Sequence, residues 1–187
     1  AAWKADRAAT EAIDGPIGVW DTSQVTSFDS LFESDDTTSG DTFNADISGW
    51  DTSQVTSLFA TFTRAAAFNA DISKWDVSRV TSMHSTFMGA SAFNADVSQW
   101  NVSSVVEMRR TFLLATSFNQ DLSGWDTRNV QFLFATFSGA SSFDSDLSSW
   151  NVSQVTNFKK SLDNTALSNC NMARIQASFC AQSTEWE

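Results

Sequence analysis

The sequence predicts a repeat solenoid, a parallel β solenoid of 25-residue coils with short helical turns and a helical cap at each end. Three observations predict it. Tryptophan recurs at 50, 75, 100, 125 and 150, always 25 residues apart. The other columns of the unit keep the same step without one insertion from 43 onward. The aromatic inventory is 16 Phe and 8 Trp with no Tyr, a bias that arises when one short pattern is copied many times. One 25-residue unit is too short to bury its own apolar side chains. Stacking places equivalent residues over each other, so each column becomes a continuous core.

The elements follow in chain order. Residues 1–16 read as an N-terminal helical cap, with Trp3, Ala9 and Ile13 on roughly one side of the segment WKADRAATEAI. The solenoid body is expected over 17–167. Its first part, 17–42, is a partial unit that carries Trp20 and the run WDTSQVTS, which recurs at 50–57. Trp20 and Trp50 lie 30 apart, so the stretch Glu33 to Thr42, acidic and rich in Ser and Thr, is expected to hold an insertion. Loops on one face of a stack tolerate such additions.

Five full units begin at 43. Each opens on Phe43, Phe68, Phe93, Phe118 or Phe143, followed three residues later by Asp46, Asp71, Asp96, Asp121 or Asp146. Ile47, Ile72, Val97, Leu122 and Leu147 form the next apolar column, and Val55, Val80, Val105, Val130 and Val155 another. Trp20, Trp50, Trp75, Trp100, Trp125 and Trp150 are expected to form the structural core. Burying each ring removes roughly 150–250 Å² from water, an upper gross gain of about 4–6 kcal/mol.

Two short strands are expected per unit. One lies near FNADIS, where Phe and Ile sit four apart and share a face. The other lies near QVTSL, with Val55 and Leu58 inward. After it, LFATF places apolar residues at 58 and 62, a step that suits one helical turn. Gly89-Ala90 and Gly139-Ala140 look like its end. Residues 168–187 leave the pattern and read as a C-terminal cap, with a helix over 171–179 that aligns Met172, Ile175 and Phe179.

Charge narrows the function. The formal net charge is -11, which opposes binding to nucleic acid phosphates or docking on anionic lipid. It leaves cations and basic protein surfaces as partners. No run approaches 18 consecutive apolar residues, so no transmembrane helix is expected. The first residue is Ala1, which reads as a processed start and points to a secreted or organellar protein of unassigned compartment. Cys170 and Cys180 allow either a disulfide across a turn or two separate thiols.

Nothing in the residues suggests catalysis or a cofactor. The one histidine, His84, lies beside the core position Met83 and reads as a surface residue. A column of five carboxylates, Asp46 to Asp146, would repel itself unless neutralised. Ca²⁺ is one answer; hydrogen bonding to the neighbouring Ser48-type residues is the preferred one, so no metal is predicted. The sequons at Asn101 and Asn151 fall where other units carry Asp, which reads as turn capping. A threonine ladder of the ice-binding kind is broken at Val106 and Gln131.

The unit FNADISKWDVSRVTSMHSTFMGASA at 68–92 resembles the BspA-like leucine-rich repeat family, also described as the DUF285 repeat. The resemblance covers about 17–167 and extends to a helix before the first WDTS and TALSNCN after the last unit. It implies a leucine-rich-repeat-like parallel β solenoid. It also implies adhesion or protein–protein contact and not an enzyme, in bacteria and marine microalgae. This sequence departs from the pattern at Val106, Gln131 and Arg128.

Where copies differ, the position faces water or a partner. Columns 57, 59, 63 and their repeats hold Phe59, Met88, Arg109, Leu113, Phe132, Phe134 and Lys159, with Arg110 alongside. Apolar groups with a basic rim mark protein interfaces. The competing reading folds these side chains into gaps between coils. The expectation is a non-catalytic protein-binding scaffold, a structural or accessory subunit of a larger assembly, with Phe59, Met88, Arg109, Arg110, Leu113, Phe132, Phe134 and Lys159 as partner-binding residues. Two alternatives rest on the resemblance: an extracellular or cell-surface adhesin, and a peripheral subunit of an algal photosynthetic membrane complex such as a photosystem.

Overall fold

The computed structural model describes residues 12–34 and 42–186. The helix expected in the N-terminal cap lies largely outside the described residues, as does most of the insertion expected over 33–42.

The units do stack, but the chain is not a parallel β solenoid, leucine-rich-repeat-like or otherwise. No β-strand or sheet forms among the described residues. Among the described residues the regular elements are a helical stretch at 12–14, a 3-10 turn over Ile17–Val19 and helix α1 over Asn169–Gln182. Successive coils meet through isolated parallel bridges: Ser27 with Ser57, then Ser82, Glu107, Phe132 and Asn157 in sequence.

Backbone handedness explains the missing strands. Ala60 and Arg64 have φ of 53° and 58°, in the left-handed region, and so do their counterparts down the stack. Ser85, Arg110, Ala135 and Lys160 repeat the first position; Gly89, Leu114, Gly139 and Asn164 repeat the second. A strand needs an uninterrupted extended backbone. Here the chain folds back every few residues. Thr61, Thr63 and Ala65 donate to the carbonyls of Leu58, Ala60 and Phe62 within their own coil. Leu58, Ala60, Phe62 and Arg64 donate instead to Ser82, His84, Thr86 and Met88 of the next coil, at 2.6–2.9 Å. The helical turn expected at 58–62 is therefore replaced by alternating local and inter-coil bonds. The strand expected near FNADIS is a turn, in which the Trp50 N–H donates to the Ile47 carbonyl at 3.2 Å.

The left-handed positions carry a cost that the sequence mostly leaves in place. An L-residue there loses about 1–2 kcal/mol. Leu114 combines that strain with 55% exposure, so little burial is at stake. Leu114→Gly relieves the strain but frees the unfolded chain by about 0.4–1 kcal/mol. We expect net stabilisation of about 0.5–1 kcal/mol, read from the urea midpoint at constant slope.

The interior is a set of aromatic columns. The rings of Trp50 and Trp75 lie 6.4 Å apart at 3°, and those of Trp125 and Trp150 6.1 Å apart at 7°. Phe62, Phe87, Phe112 and Phe137 stack at 5.3–5.6 Å between coils. Each also stacks on the Phe that opens the following unit, as Phe87 does on Phe93 at 3.8 Å. Trp20, at the first coil, is half-buried, whereas Trp50 to Trp150 are buried.

Side chains then tie coil to coil. Trp75, Trp100, Trp125 and Trp150 each donate Nε1–H to the carbonyl of the preceding coil's Ile47, Ile72, Val97 or Leu122, at 2.9–3.2 Å. Buried Thr86, Thr111 and Thr136 donate to the previous coil at Leu58, Met83 and Met108. Asn44, Asn69, Asn94 and Asn119 form a ladder in which each Oδ1 accepts the backbone N–H one coil on, at 2.7–2.9 Å. Buried backbone groups must find partners, and these ladders supply them where strands are absent.

Helix α1 ends the ladder. Its N-cap is Ser168, whose hydroxyl accepts the Asn171 N–H. Asp144 accepts the Ser168 N–H at 2.7 Å, and Asn171 Nδ2 donates to the Asp144 carbonyl. Gln182 accepts the Val152 N–H and donates to the Trp150 carbonyl. Ile175 and Phe179 face the core. Cys170 and Cys180 are exposed on this helix. Ten residues of helix separate them by about 15 Å, beyond the ~7 Å that a disulfide spans, so the two are separate thiols.

Candidate functional site

The variable columns meet on one face. Ser57, Ser82, Glu107, Phe132 and Asn157 form the bridge line, and Phe59, His84, Arg109, Phe134 and Lys159 stand two residues further on. The bridges hold these rows in register, so their side chains neighbour each other coil by coil. The Arg109 guanidinium lies over the Phe132 ring at 4.9 Å, and that of Arg110 over Phe134 at 5.6 Å. Phe59 meets His84 edge-on at 5.1 Å. His84, Arg109, Arg110, Phe134 and Asn157 surround a cavity of 290 Å³.

The two arginines differ. Glu107 pairs with the Arg109 guanidinium and also accepts its backbone N–H at 2.8 Å. That ion pair raises the Arg109 pKa further. Arg110 is exposed and makes no ion pair among the described residues. Its left-handed conformation, at φ 57°, is shared by Ala60, Ser85 and Ala135, whose small side chains are buried. His84 is half-buried, and burial pushes its pKa down; Glu107 opposes this, while Arg109 and Arg110 add to it. Burial and the two neighbouring cations thus disfavour the charged imidazolium.

Of the residues singled out by sequence, the structure brings together Phe59, Arg109, Arg110, Phe132 and Phe134. Phe59 is 41% exposed. Phe132 and Phe134 are half-buried, partly covered by the arginines, so part of the fold-back reading applies to them. Met88 and Leu113 are half-buried and make no ring or ion contact with this group among the described residues. Lys159 lines a different cavity, at the end of the stack. His84 and Glu107 belong to the face, although sequence reading assigned them no partner role. Leu114 is a further exposed apolar residue that sequence reading passed over. Its column carries Gly89 and Gly139, a signal that the position points away from the core.

The aspartate column has a local explanation. Asp46, Asp71, Asp96, Asp121 and Asp146 each accept the backbone N–H of the Ser two residues on, at 2.8–3.0 Å. Asp21, Asp51 and Asp76 do the same, and Asn101 and Asn151 take this role in their units. Hydrogen bonds from Ser48 hold the Asp46 carboxyl below its usual range, against the opposing charge of Asp71. The same cause acts at Asp51, Asp71, Asp76 and Asp96. No group of three or more His, Cys, Asp or Glu among the described residues is placed to hold a metal ion.

These shifts predict the acid response. A carboxyl with a lowered folded pKa contributes stability that is fully present above its unfolded value, near 3.9. That contribution is lost as pH falls through the folded value. Stability is expected to be flat above about pH 5 and to decline below about pH 4. Asp71→Asn should flatten the decline in a urea series across that range, since Asn keeps the turn cap but does not titrate.

No helix among the described residues is long and apolar enough to cross a membrane. A family model described as "Mycoplasma protein of unknown function, DUF285" matches residues 5–97 and 60–175. Searches of curated proteins and of solved structures give no match.

Proposed function

Since the chain belongs to the DUF285 family, whose function is unknown, we propose a function from its own surface: a non-catalytic, protein-binding scaffold that serves as a structural or accessory subunit of a larger assembly. One observation carries the reading. Two guanidiniums rest on two phenylalanine rings, side by side, in a chain of net charge -11. Arginine and aromatic residues dominate the energetics of protein interfaces. A planar cation backed by a ring is already ordered before a partner arrives, which lowers the entropy lost on binding. Arg110 offers unpaired donors to a partner carboxylate, and Phe59 adds an apolar edge. The pattern at 68–92 also resembles BspA-like repeats, a resemblance that favours a contact role.

The non-catalytic part rests on how the polar residues are used. The aspartate columns at 46–146 and 21–76 are engaged in turn caps, and the buried threonines in inter-coil bonds. The test is the double variant Phe134→Asp with Arg109→Glu, compared with the native chain in cross-linking to its complex in native cells. Loss of the cross-linked partner is expected. Unchanged partner recovery by the folded variant would sink the reading.

A further inference from the structure

The inter-coil bonds have a direction. In one row of each inner coil, at 58–64 and its repeats, alternate N–H groups point toward the C-terminal end of the stack, whereas Thr81, Val106 and Gln131 donate backward to the preceding coil. Met83, Ser85, Phe87 and Gly89 donate to Glu107, Arg109, Thr111 and Leu113 at 2.7–2.9 Å. Leu133, Ala135, Phe137 and Gly139 donate in the same way to Asn157, Lys159, Ser161 and Asp163 of the last coil. The last coil repeats the conformation, with Lys160 at φ 60° and Asn164 at φ 55°. Its own row, the N–H groups of Phe158, Lys160, Leu162 and Asn164, has no acceptor among the described residues. The chain turns away into helix α1 before a further coil could supply one.

A cavity of 640 Å³ lies between this row and helix α1. Phe158, Leu162, Met172 and Trp186 give it apolar walls, and Lys159 and Lys160 stand at its rim. Its size falls within the usual range of ligand clefts. Asp163 and Glu185 also line it, so the lysines bring no surplus charge. The row of donors is what selects a ligand. The N–H groups of Lys159, Ser161 and Asp163 already donate within the coil, so the open row is an alternating line of four donors that takes acceptor groups. A β-strand edge is a poor match, because it would set its own N–H groups against these. Carboxylates offer acceptors alone.

We propose that this end of the stack is a binding site for an acidic peptide segment, whose carboxylates accept from the N–H row while Lys159 and Lys160 pair with them. The site adjoins the Arg–Phe face, whose row Lys159 continues, but it rests on the open N–H row and a different cavity, so its failure would leave the reading of that face standing. Trp186 packs edge-on against Phe158 at 5.3 Å, so the apolar floor exists before a ligand arrives.

The test uses the full chain and amide-resolved NMR. In the free protein, the amides of 158, 160, 162 and 164 should exchange with solvent much faster than those of 133, 135, 137 and 139, which have acceptors. Comparable protection in the two rows would overturn the premise. A short synthetic peptide of alternating Asp and Ala should shift the open row and leave the inner row unmoved, which also reports that the stack stays folded. Lys159→Glu with Lys160→Glu should weaken it about tenfold. No shift at the open row, equal shifts from the matching Asn–Ala peptide, or equal shifts from sulfate alone would each overturn the assignment to an acidic peptide.

Discussion

Trp100→Ala is expected to lower the unfolding free energy by about 4 kcal/mol, within the range for emptying a buried aromatic site. The ring is 3% exposed in the middle of the stack and neighbours Phe87 at 6.2 Å. Its Nε1–H donates to the Ile72 carbonyl, which also accepts the Trp75 N–H. That carbonyl keeps a partner in the variant, so the lost hydrogen bond costs only about 1 kcal/mol. The cavity supplies the rest, and coils on both sides must collapse around it together. Trp20→Ala provides the contrast. Trp20 is half-buried and donates within its own segment, to Gly15, so about 1–2 kcal/mol is expected. Urea unfolding of both variants tests the argument. Equal losses would show that position along the stack does not matter, and would refute the account of coupled coils.

Phe179→Ala is the second large effect, at about 3 kcal/mol. Phe179 is 2% exposed and holds helix α1 against the last coil through Phe158 at 6.0 Å and Trp186 at 5.0 Å. When the helix loosens, Gln182 withdraws from both Val152 and Trp150, leaving a donor and an acceptor without partners. Stacked repeats depend on such ends, since each coil is stabilised by its neighbours. The loss should begin at the C-terminal coil. Amide exchange at Val152 is expected to accelerate before that at Val105, whose N–H donates to the Val102 carbonyl at 2.9 Å. Uniform acceleration along the chain would instead mean that helix α1 is not a separate closing element.

Much of the architecture was legible because its cause is local and periodic. The columns of Trp, Phe and Val identified the buried positions, since an apolar residue that repeats at one step can only be satisfied by stacking. The helix near 171–179 was legible from the stripe Met172, Ile175 and Phe179, although its bounds, 169–182, were wider. The face around Arg109 and Phe134 was legible as positions that fail to repeat. The pairing of each arginine with a particular ring was not, because it depends on side chains from adjacent coils. The membership of His84 and Glu107 was hidden for the same reason.

The sequence by itself determined the period, the residues that fill the core and the turns capped by Asp and Ser. Those follow from hydrophobic repetition and from hydrogen bonds two residues apart. Only the tertiary structure decided the path of the backbone and the direction of its bonds. Ala60, Ser85, Arg110 and Lys160 hold one left-handed position without a glycine among them, so no residue type announced it. An apolar step of four fits a helical turn or this alternating coil equally well. The choice between them was made by carbonyls 24 residues away, which reward the second and not the first.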